Sequence, residues 1–595
     1  MPPVSSPLPL RLSPAEASAP TRRLPDGLRL QLSVTRAGLG LEAAAGTTVG
    51  FVRVDALVTT LPGLSFPVDL SGGVARFRHR RGELSRLELT CLREPLSREL
   101  ERRVAPDGGA EITLLPRDGG VTVGISTRDA ALAFDLVWAP IDGRARLVVE
   151  RARALGLPMP AHQAAIGALD AAVKGVGARA GSAAVLDDLA GRVLREVLPS
   201  IGARAPATSR AALSRLSSDL EGFRFSAEAD ASPPRLEAAA LAALETAELS
   251  RTADDALARG DHAAARDGYL RALELAPHHV ELSRRLADVD RAAGDRAEAA
   301  LSTLALAGPV LDAGPLGAAL LAEAGDAAGA RAAFESAAHR EPFAPLAARC
   351  LAAAAALTED PRERGALLSA AVARAPTSAS LRALRLDAAL AGGDVAAALA
   401  EAGHLEAAGR TPDQKQRALV DAARAFAARG AAGLAAPLVE RALRYRPTDE
   451  DALLLLAAAL RELGRSARAA DVLSRVLTLA ERRRAARHDA SLALATILLE
   501  DLGELPLAVA RSRGVPLGAP EHAAARWVEG RALARLGDHA GAALAFSRMR
   551  DALAARGGDA NDAARWLRDA ALFEERERGD LEAARAHLSL ALSIA

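Results

Sequence analysis

The sequence predicts a multi-domain fold in which an N-terminal α+β domain with an antiparallel sheet precedes a long all-α region of repeated helix pairs. The chain has 595 residues, which is enough for several domains or for one extended repeat array. Residues 27–150 alternate apolar and polar side chains with the period of two that is typical of strands. From about residue 240 a glycine-centred pattern returns at intervals near 34 residues, which indicates a repeating structural unit.

These patterns divide the chain into four segments. We expect residues 1–24 to be a disordered N-terminal segment, which lacks the unbroken apolar stretch of a signal peptide. Residues 25–228 are predicted to form the α+β domain, and residues 229–238, which include ADASPPR, the linker. Residues 239–595 are predicted to form the helical repeats. Much of the apolar content is alanine and only 3% of residues are aromatic, which favours closely approaching helices.

The predicted strands of the N-terminal domain are separated by turns rich in Asp-Gly and Gly-Gly, which are typical of hairpins. They are GLRLQLSV, VGFVRV, LSRLEL, VTVGIS, LAFDLVW and ARLVVE, with GFRFSAEAD (222–230) as one returning strand. Helices are predicted for REPLSRELERRV and for segments near 161–174 and 183–198, where apolar residues recur at helical spacing. The segment GVGARAGS, residues 175–182, is interpreted as a loop between two helices.

The repeating pattern is clearest in the stretch ARGDHAAARDGYLRALELAP. Its fixed positions are Gly260, Asp261, Ala265, Tyr269, Ala272 and Pro277. The glycine returns at Gly294, Gly325, Gly393, Gly430, Gly464, Gly503, Gly537 and Gly579, and a degenerate copy precedes Gly393. Glycine ends the first helix of each repeat, alanines let the two helices approach closely, and proline ends the second helix.

Over about residues 240–595 this pattern resembles the tetratricopeptide repeat (TPR) family. The resemblance implies a right-handed superhelical solenoid of about ten helix–turn–helix repeats. The sequence departs from the family pattern because its first helices lack most of the bulky residues, with Trp527 and Trp566 as exceptions. Two intervals near the C-terminal end lengthen to 39 and 42 residues. We expect loops or lengthened helices there.

The N-terminal domain shows a second resemblance, which rests on the order of its predicted elements. REPLSRELERRV is followed by AEITLLPRDGGVTVGIST, then by IDGRARLVVERARALGLPMP and an apolar helix. Over about residues 25–200 this succession resembles bacterial members of the tubular lipid-binding (TULIP-like) superfamily. The resemblance implies a curved antiparallel sheet that wraps a long helix around an apolar groove, with a lipid as the ligand. The alternative is an ordinary α+β sandwich with a closed core.

The sequence contains none of the motifs that carry common catalytic chemistry. It has no G-x-x-x-x-G-K-[ST] loop for phosphates and no G-x-S-x-G elbow of hydrolases. Its eleven histidines show no metal-ligand spacing, and Cys91 and Cys350 are too few for a disulfide framework. Asp187-Asp188 and Asp254-Asp255 are interpreted as solvated faces or helix-start charges, and His278-His279 as solvated turn residues. We therefore predict a non-enzymatic protein that needs no cofactor.

The charge balance and hydropathy exclude two classes of partner. Lys+Arg and Asp+Glu are equal at 75 each, so the overall charge does not favour nucleic acid as a partner. No run of about 18 uncharged apolar residues occurs, so no membrane span is predicted. We expect a cytoplasmic location.

In the TPR family the first helix of each repeat lines the concave groove, which implies that residues before each glycine contact the partner. Arginine and aromatic side chains are the composition of binding hot spots. The candidate partner-binding residues are Arg284, Arg291, Arg417, Arg424, Arg461, Arg531, Trp527, Trp566, Phe573 and Arg576. Asp254 occupies the repeat position of Arg424, so pairing of such arginines with neighbouring acids is an open alternative. The family's two-carboxylate clamp is disfavoured because the repeats contain only Asn561 and Lys415 as its residue types.

These observations predict a protein-interaction scaffold or adaptor whose groove binds a protein or peptide, which we expect to be acidic because the candidate residues are mainly arginines. The alternative is a lipid or hydrophobic-ligand carrier, in which the N-terminal sheet holds the ligand and the solenoid is a docking arm. A carrier needs a continuous unfilled apolar groove along the sheet, whereas the sheet of a scaffold would be closed.

Overall fold

The structure is a computed structural model that describes twelve stretches of the chain. They are residues 30–35, 38–43, 46–62, 64, 80–106, 109–141, 144–199, 204–232, 234–294, 297–409, 411–556 and 559–594. The segment 1–24, for which we predict disorder, lies outside them. The chain divides into two compact units, Met1–Ala375 and Pro376–Ala595, and each is considered separately below.

Thirteen strands are described in the first unit, and all neighbouring strands within a sheet run antiparallel. They are β1 (Leu30–Thr35), β2 (Gly38–Ala43), β3 (Thr47–Val49), β4 (Val52–Thr60), β5 (Glu83–Leu92), β6 (Glu111–Arg117), β7 (Gly120–Ser126), β8 (Ala131–Ile141), β9 (Arg144–Leu155), β10 (Ala178–Ala180), β11 (Ala183–Leu186), β12 (Ala211–Ser218) and β13 (Gly222–Ala229). The first sheet has the order β1-β2-β4-β5-β13-β12, with β3 paired to β4, and the second has β10-β11-β9-β8-β7-β6. The domain therefore has two antiparallel sheets where the sequence predicts one.

Three helices accompany the sheets: α1 (Arg93–Val104), α2 (Ala161–Val173) and α3 (Leu189–Val197). The helices predicted at 93–104 and 161–174 are confirmed, and so is the returning strand, which is β13. Helix α2 packs its apolar face on the second sheet, where Ala165 and Leu169 are buried. Helix α3 packs on the first sheet through Leu194 and Val197. The apolar faces of both sheets are thus packed against helices among the described residues.

Two predictions are wrong around residue 180. The loop predicted at 175–182 contains strand β10, and the helix predicted at 183–198 begins with strand β11, which pairs with β9. The alanine-rich sequence favours a helix locally, but pairing with the edge of β9 provides backbone hydrogen bonds and buries Ala184. Gly181, at a φ of 59°, makes the turn between the two strands.

Twenty further α-helices are described after the strands, and consecutive helices pack as ten hairpins. In the first unit they are α4 (Ala238–Ala258), α5 (His262–Leu275), α6 (Val280–Ala292), α7 (Ala297–Ala307), α8 (Pro315–Glu323), α9 (Ala327–Arg340), α10 (Ala344–Ala356) and α11 (Pro361–Arg374). In the second unit they are α12 (Ala379–Ala391), α13 (Val395–Ala408), α14 (Pro412–Ala427), α15 (Ala432–Tyr445), α16 (Glu450–Glu462), α17 (Ser466–Arg482), α18 (His488–Ile497), α19 (Leu505–Arg513), α20 (His522–Arg535), α21 (His539–Arg556), α22 (Ala560–Phe573) and α23 (Leu581–Ile594).

The Gly-Asp pairs of the repeat are where one helix ends and the next begins. All nine repeat glycines have φ between 64° and 89°, the left-handed conformation that ends a helix. At the first turn, the Asp261 N–H donates to the carbonyl of Ala256, 3.0 Å away. The Asp261 carboxylate then accepts from the Ala264 N–H at 3.0 Å, which caps α5. One dipeptide thus specifies both the stop and the start signal.

Lengthened helices account for the two long intervals. A π-helical turn, Leu498–Leu502, extends α18, and another, Glu574–Arg578, extends α22. Helices α17 and α21 are also long, with 17 and 18 residues. The predicted fold class is confirmed as antiparallel sheets followed by a run of TPR-like helix pairs. The boundary at 229–238 stays a prediction, since the first compact unit continues through it into the repeats.

Candidate functional site

The first helices of the first four repeats, α4, α6, α8 and α10, contact the second sheet. On α4, Ala240, Ala243 and Ala247 pack against Val137 and Val148 of β8 and β9. Near α10, Phe343 packs on β7 so closely that a Cβ on Gly124 would lie 2.3 Å from its ring. We call the surface formed by first helices the first-helix face. In the first unit the second sheet covers much of this face. The TPR resemblance implies that the same face is the partner-binding groove.

A buried ionic cluster holds this interface together, with the carboxylate of Asp254 on α4 at its centre. Asp254 accepts from His162 Nε2 at 3.1 Å, from the Tyr269 hydroxyl at 2.6 Å and from the Ser250 hydroxyl at 2.7 Å. The Arg285 guanidinium lies 3.2 Å from the same carboxylate. Asp254 is completely buried, so these four donors replace its water shell.

Arg285 of α6 extends the cluster to the sheet. It donates to the Val149 carbonyl of β9 at 3.1 Å, and its Nε lies 3.3 Å from Glu281. Glu281 also accepts the backbone N–H of Arg151 at 3.1 Å. Arg151 has a φ of 48° at a bulge in β9, so the helix carboxylate satisfies a backbone group that the bulge removes from the ladder.

Burial and charge shift the pKa values of the acids in opposite directions. Burial alone would raise the pKa of Asp254, but Arg285 and His162 outweigh it and hold that pKa below its usual range. Burial raises the pKa of Glu150 to about 8, with Arg285 as a partial offset. Burial also raises the pKa of Asp288 to about 6, although Asp288 accepts the Ala161 N–H at 2.7 Å and so caps α2 from α6.

The interpretation of Asp254 as a solvated residue is corrected by this geometry. Asp254 is buried rather than solvated, because the helix face that carries it is covered by α2 and the sheet. Asp188 is exposed at the start of α3 and accepts the Gly191 N–H, and His279 caps α6 from the turn before it, so both keep the helix-start and turn positions expected from the sequence. Since every donor around Asp254 is held inside the interface, the cluster positions elements and presents no reactive group to a ligand.

Both candidate residues in the first unit form ion pairs within it. Arg284 is half-buried beside Glu281, with an N···O distance of 3.1 Å. Arg291 lies 2.7 Å from Glu323 on the next first helix. Partner binding by these two residues stays a prediction. A carboxylate of the partner would have to replace the carboxylate with which each arginine already pairs.

In the second unit, the first helices α20 and α22 bring two candidate tryptophans together. The rings of Trp527 and Trp566 stack with centroids 5.9 Å apart. The guanidinium groups of Arg531 and Arg565 lie over the Trp527 ring at 4.8 Å and 5.5 Å. We call Trp527, Arg531, Arg565 and Trp566 the tryptophan surface. Trp527 is buried beneath the arginines, whose side chains are 30% and 53% exposed.

The remaining candidate residues have different environments. Arg461 and Arg531 both pair with Glu500 of the π-helical turn, at 2.7 Å and 3.1 Å. Arg424 pairs with Asp421 on the surface. Phe573 is buried against Phe546, so it packs the core in this structure. Their role in partner binding stays a prediction.

Two candidates keep free positive charge. Arg417 of α14 and Arg576 of the second π-helical turn are exposed, and neither has a hydrogen-bond or ion-pair partner among the described residues. The sequence reasoning missed Arg565, which precedes Trp566 directly. Its exposed position on the same first helix was the available signal, but its approach to Trp527 depends on the packing of α20 against α22.

Among the described residues, no group of three or more His, Cys, Asp or Glu side chains is arranged to hold a metal ion. No helix in the described part of the chain is long and apolar enough to cross a membrane.

Comparisons with known proteins add TPR structures of low similarity. MamA from Desulfovibrio magneticus is 20% identical, covering 30% of this chain and 94% of its own, with a TM-score of 0.26. YrrB, described as a TPR protein with an unusual peptide-binding site, is 17% identical, covering 30% and 84%, with a TM-score of 0.24. A TPR protein from Parabacteroides merdae is 15% identical, covering 46% and 96%, with a TM-score of 0.26. No protein-family model and no curated protein matches the sequence.

Proposed function

We propose that this TPR-like protein is a non-enzymatic, cytoplasmic interaction scaffold or adaptor whose second unit binds an acidic protein or peptide segment. The observation that carries the proposal is the tryptophan surface, where two partly exposed guanidinium groups lie over the Trp527 ring and the Trp566 ring stacks on Trp527. Aromatic and arginine side chains in this arrangement dominate binding energy in known interfaces. A partner carboxylate would compete with Glu500 for Arg531, while apolar side chains beside that carboxylate contact the partly exposed Trp566 ring.

The position of the sheet supports different roles for the repeats of the two units: those of the first unit bind the sheet, and those of the second unit bind the partner. In the first unit, β8 and β9 already occupy much of the first-helix face, and the charges there are paired internally. In the second unit, Arg417, Arg565 and Arg576 are exposed on first helices or their extensions. Arg565 pairs with Asp562 at 2.9 Å, whereas Arg417 and Arg576 have no ion-pair partner among the described residues, so these two can pair with an acidic ligand.

The lipid-carrier alternative receives no specific support from this structure. The apolar faces of the two sheets are packed against α2 and α3, and residues such as Leu169 and Leu194 fill the space between the layers. The TULIP-like resemblance stays an untested prediction, and we propose no lipid function.

Selection from a random 12-residue peptide library on the full chain tests the proposal. We expect acidic peptides to be enriched, and we expect the double variant R531E/R565E to weaken their binding at least tenfold, about 1.4 kcal/mol. The matched control is R585E, which reverses an exposed arginine on the second helix α23. Equal affinity of the unmodified protein, R531E/R565E and R585E for the selected peptides would contradict the proposal.

A further inference from the structure

A cleft of about 590 Å³ lies between the loop before α20, the start of α20 and the C-terminal half of α21. Its lining residues are Leu517, Ala519, Pro520, His522, Ala523, Arg526, Arg548, Asp551, Ala552 and Ala555. We call it the arginine cleft. It shares no residue with the tryptophan surface, and its volume suits a group much larger than a single ion.

Arg526 forms a wall of this cleft and is only 4% exposed. It donates to Glu529 at 2.6 Å and to the carbonyl of Ser512, but its Nε–H has no acceptor among the described residues. Glu529 is shared, because Arg513 donates to it at 2.7 Å. One buried carboxylate therefore serves two guanidinium groups, which leaves positive charge uncompensated.

The rim of the cleft adds to this excess of positive charge. Arg548 is exposed and has no carboxylate partner in the described part of the chain. Asp551 is the second acid, and Arg550 donates to it at 3.1 Å. Burial, together with repulsion from Arg548 and Arg513, lowers the pKa of Arg526. An anion in the cleft would relieve that repulsion.

The backbone offers donors at the same place. Helix α20 has 14 residues and no side-chain N-cap. The N–H groups of Ala523 and Ala524 in its first turn have no acceptor among the described residues. Such N–H groups and the positive end of the helix dipole favour an anion. His522 and Ala523 of this first turn line the same cleft as Arg526, whose buried guanidinium is an independent anion-binding feature.

Apart from His522, whose Nδ1 lies 3.1 Å from the Val515 carbonyl, the rest of the lining is apolar, and it indicates which kind of group carries the anion. Leu517 is 69% exposed at the mouth, and alanine and proline side chains line the walls. A strongly hydrated, isolated ion would gain nothing from these walls. A carboxylate joined to an apolar body would satisfy both parts of the cleft.

We propose that the arginine cleft binds the C-terminal residue of a partner polypeptide. The carboxylate would bind at Arg526, Arg548 and the first turn of α20, and the apolar side chain would contact Leu517 and the alanine walls. This inference rests on the proposed function in that it takes a protein segment as the ligand. A fatty acid shares the chemistry of an apolar carboxylate, so the test must distinguish the two sources.

Calorimetry on the full chain with acetyl-Ala-Leu-Leu tests the proposal, with the same tripeptide as its C-terminal amide for comparison. We expect saturable binding of the free acid, and at least tenfold weaker binding of the amide, because only the acid offers the charge. R548E should weaken binding of the free acid at least tenfold, while R585E should leave it unchanged. Arg548 is exposed and has no carboxylate partner among the residues that the structure describes, so R548E should fold, which circular dichroism verifies.

Other outcomes overturn the proposal. No binding of the acid at 5 mM, or equal binding of acid and amide, would show that the cleft does not recognise a terminal carboxylate. Tighter binding of decanoate, in competition with the tripeptide, would assign the cleft to a fatty acid. Loss of tripeptide binding in R531E/R565E would place the ligand on the tryptophan surface instead. If the peptide library fails while the tripeptide binds, the proposed function fails and the cleft assignment stands.

Discussion

Asp254 shows how the meaning of a residue in a repeat depends on what covers it. It occupies the repeat position of Arg424, but Asp254 is completely buried and Arg424 is exposed on the surface. The sequence could not distinguish the two, because both lie on amphipathic first helices. Coverage by β9 and α2 decides the outcome, and that coverage involves residues about a hundred positions earlier in the chain.

Replacement of this buried carboxylate tests the ionic cluster. We expect D254N to destabilise the first unit by about 3–5 kcal/mol, because Arg285 would lose its central counter-charge in a buried site. Its neighbour Asp255 pairs with Arg179 near the surface, so D255N should cost at most about 1 kcal/mol. Denaturant unfolding in a W527F/W566F background measures this, because Trp138 then reports the first unit alone. Equal losses would contradict the account.

Glu150 should make the stability of the first unit fall as pH rises. With a folded-state pKa of about 8, Glu150 keeps a proton that the unfolded chain has released, so raising the pH favours unfolding. The slope can reach about 1.4 kcal/mol per pH unit for one proton. Between pH 7 and 8 the other two shifted groups contribute little, because the folded-state pKa of Asp288 is about 6 and the unfolded-state pKa of His162 is about 6.5. The unfolding midpoint should decline in that range, and E150Q should flatten it; a rising midpoint would contradict this assignment.

At the scale of elements, the Gly-Asp dipeptide was the most informative signal in the sequence. It identified the helix ends, because only glycine adopts the left-handed conformation without strain and aspartate caps the following helix. The β10–β11 hairpin was missed since its stability comes from pairing with β9, which no local pattern reveals. The same reasoning explains why one sheet was predicted and two are present.

Alanine substitutions at two glycines of one repeat distinguish the effect of backbone strain on stability from the effect of helix propensity. Gly393, in the turn before α13, has a φ of 75°, and Gly403 lies within α13; an added Cβ would meet nothing within 4 Å at either site. We expect G393A to destabilise the second unit by about 1–2 kcal/mol and G403A to stabilise it by about 0.5–1 kcal/mol. Unfolding followed by the two remaining tryptophans of a W138F background measures both. Changes of the same sign would contradict the role of the turn.

The docking of the fourth repeat on the sheet has its own test. A Cβ at position 124 would collide with the Phe343 ring, so G124A should destabilise the first unit by about 1–3 kcal/mol through overpacking. Gly167 in α2 has open space around it, so G167A is the control and should not destabilise. The same Trp138 readout applies, and a neutral G124A would show that Phe343 does not dock there.

At the scale of the whole molecule, the two units treat the first-helix face differently. In the first, the second sheet packs on it and the ionic cluster ties α4 and α6 to β9. In the second, exposed arginines and the tryptophan surface remain accessible. The helical repeats could be predicted from local periodicity, whereas this coverage could not, because it depends on contacts between distant parts of the chain.

Site-specific photo-crosslinking would show which of the two units contacts the partner. Benzoylphenylalanine would be placed in the full chain at Arg417 and Arg565, on the first-helix face of the second unit. The matched controls are the exposed positions Arg291, in the first unit, and Arg585, on a second helix. After irradiation in cells of the source organism, adducts of higher mass should form from positions 417 and 565 and be absent or weak from 291 and 585. Adducts that form mainly from position 291, or equally from all four, would contradict the assignment of partner binding to the second unit.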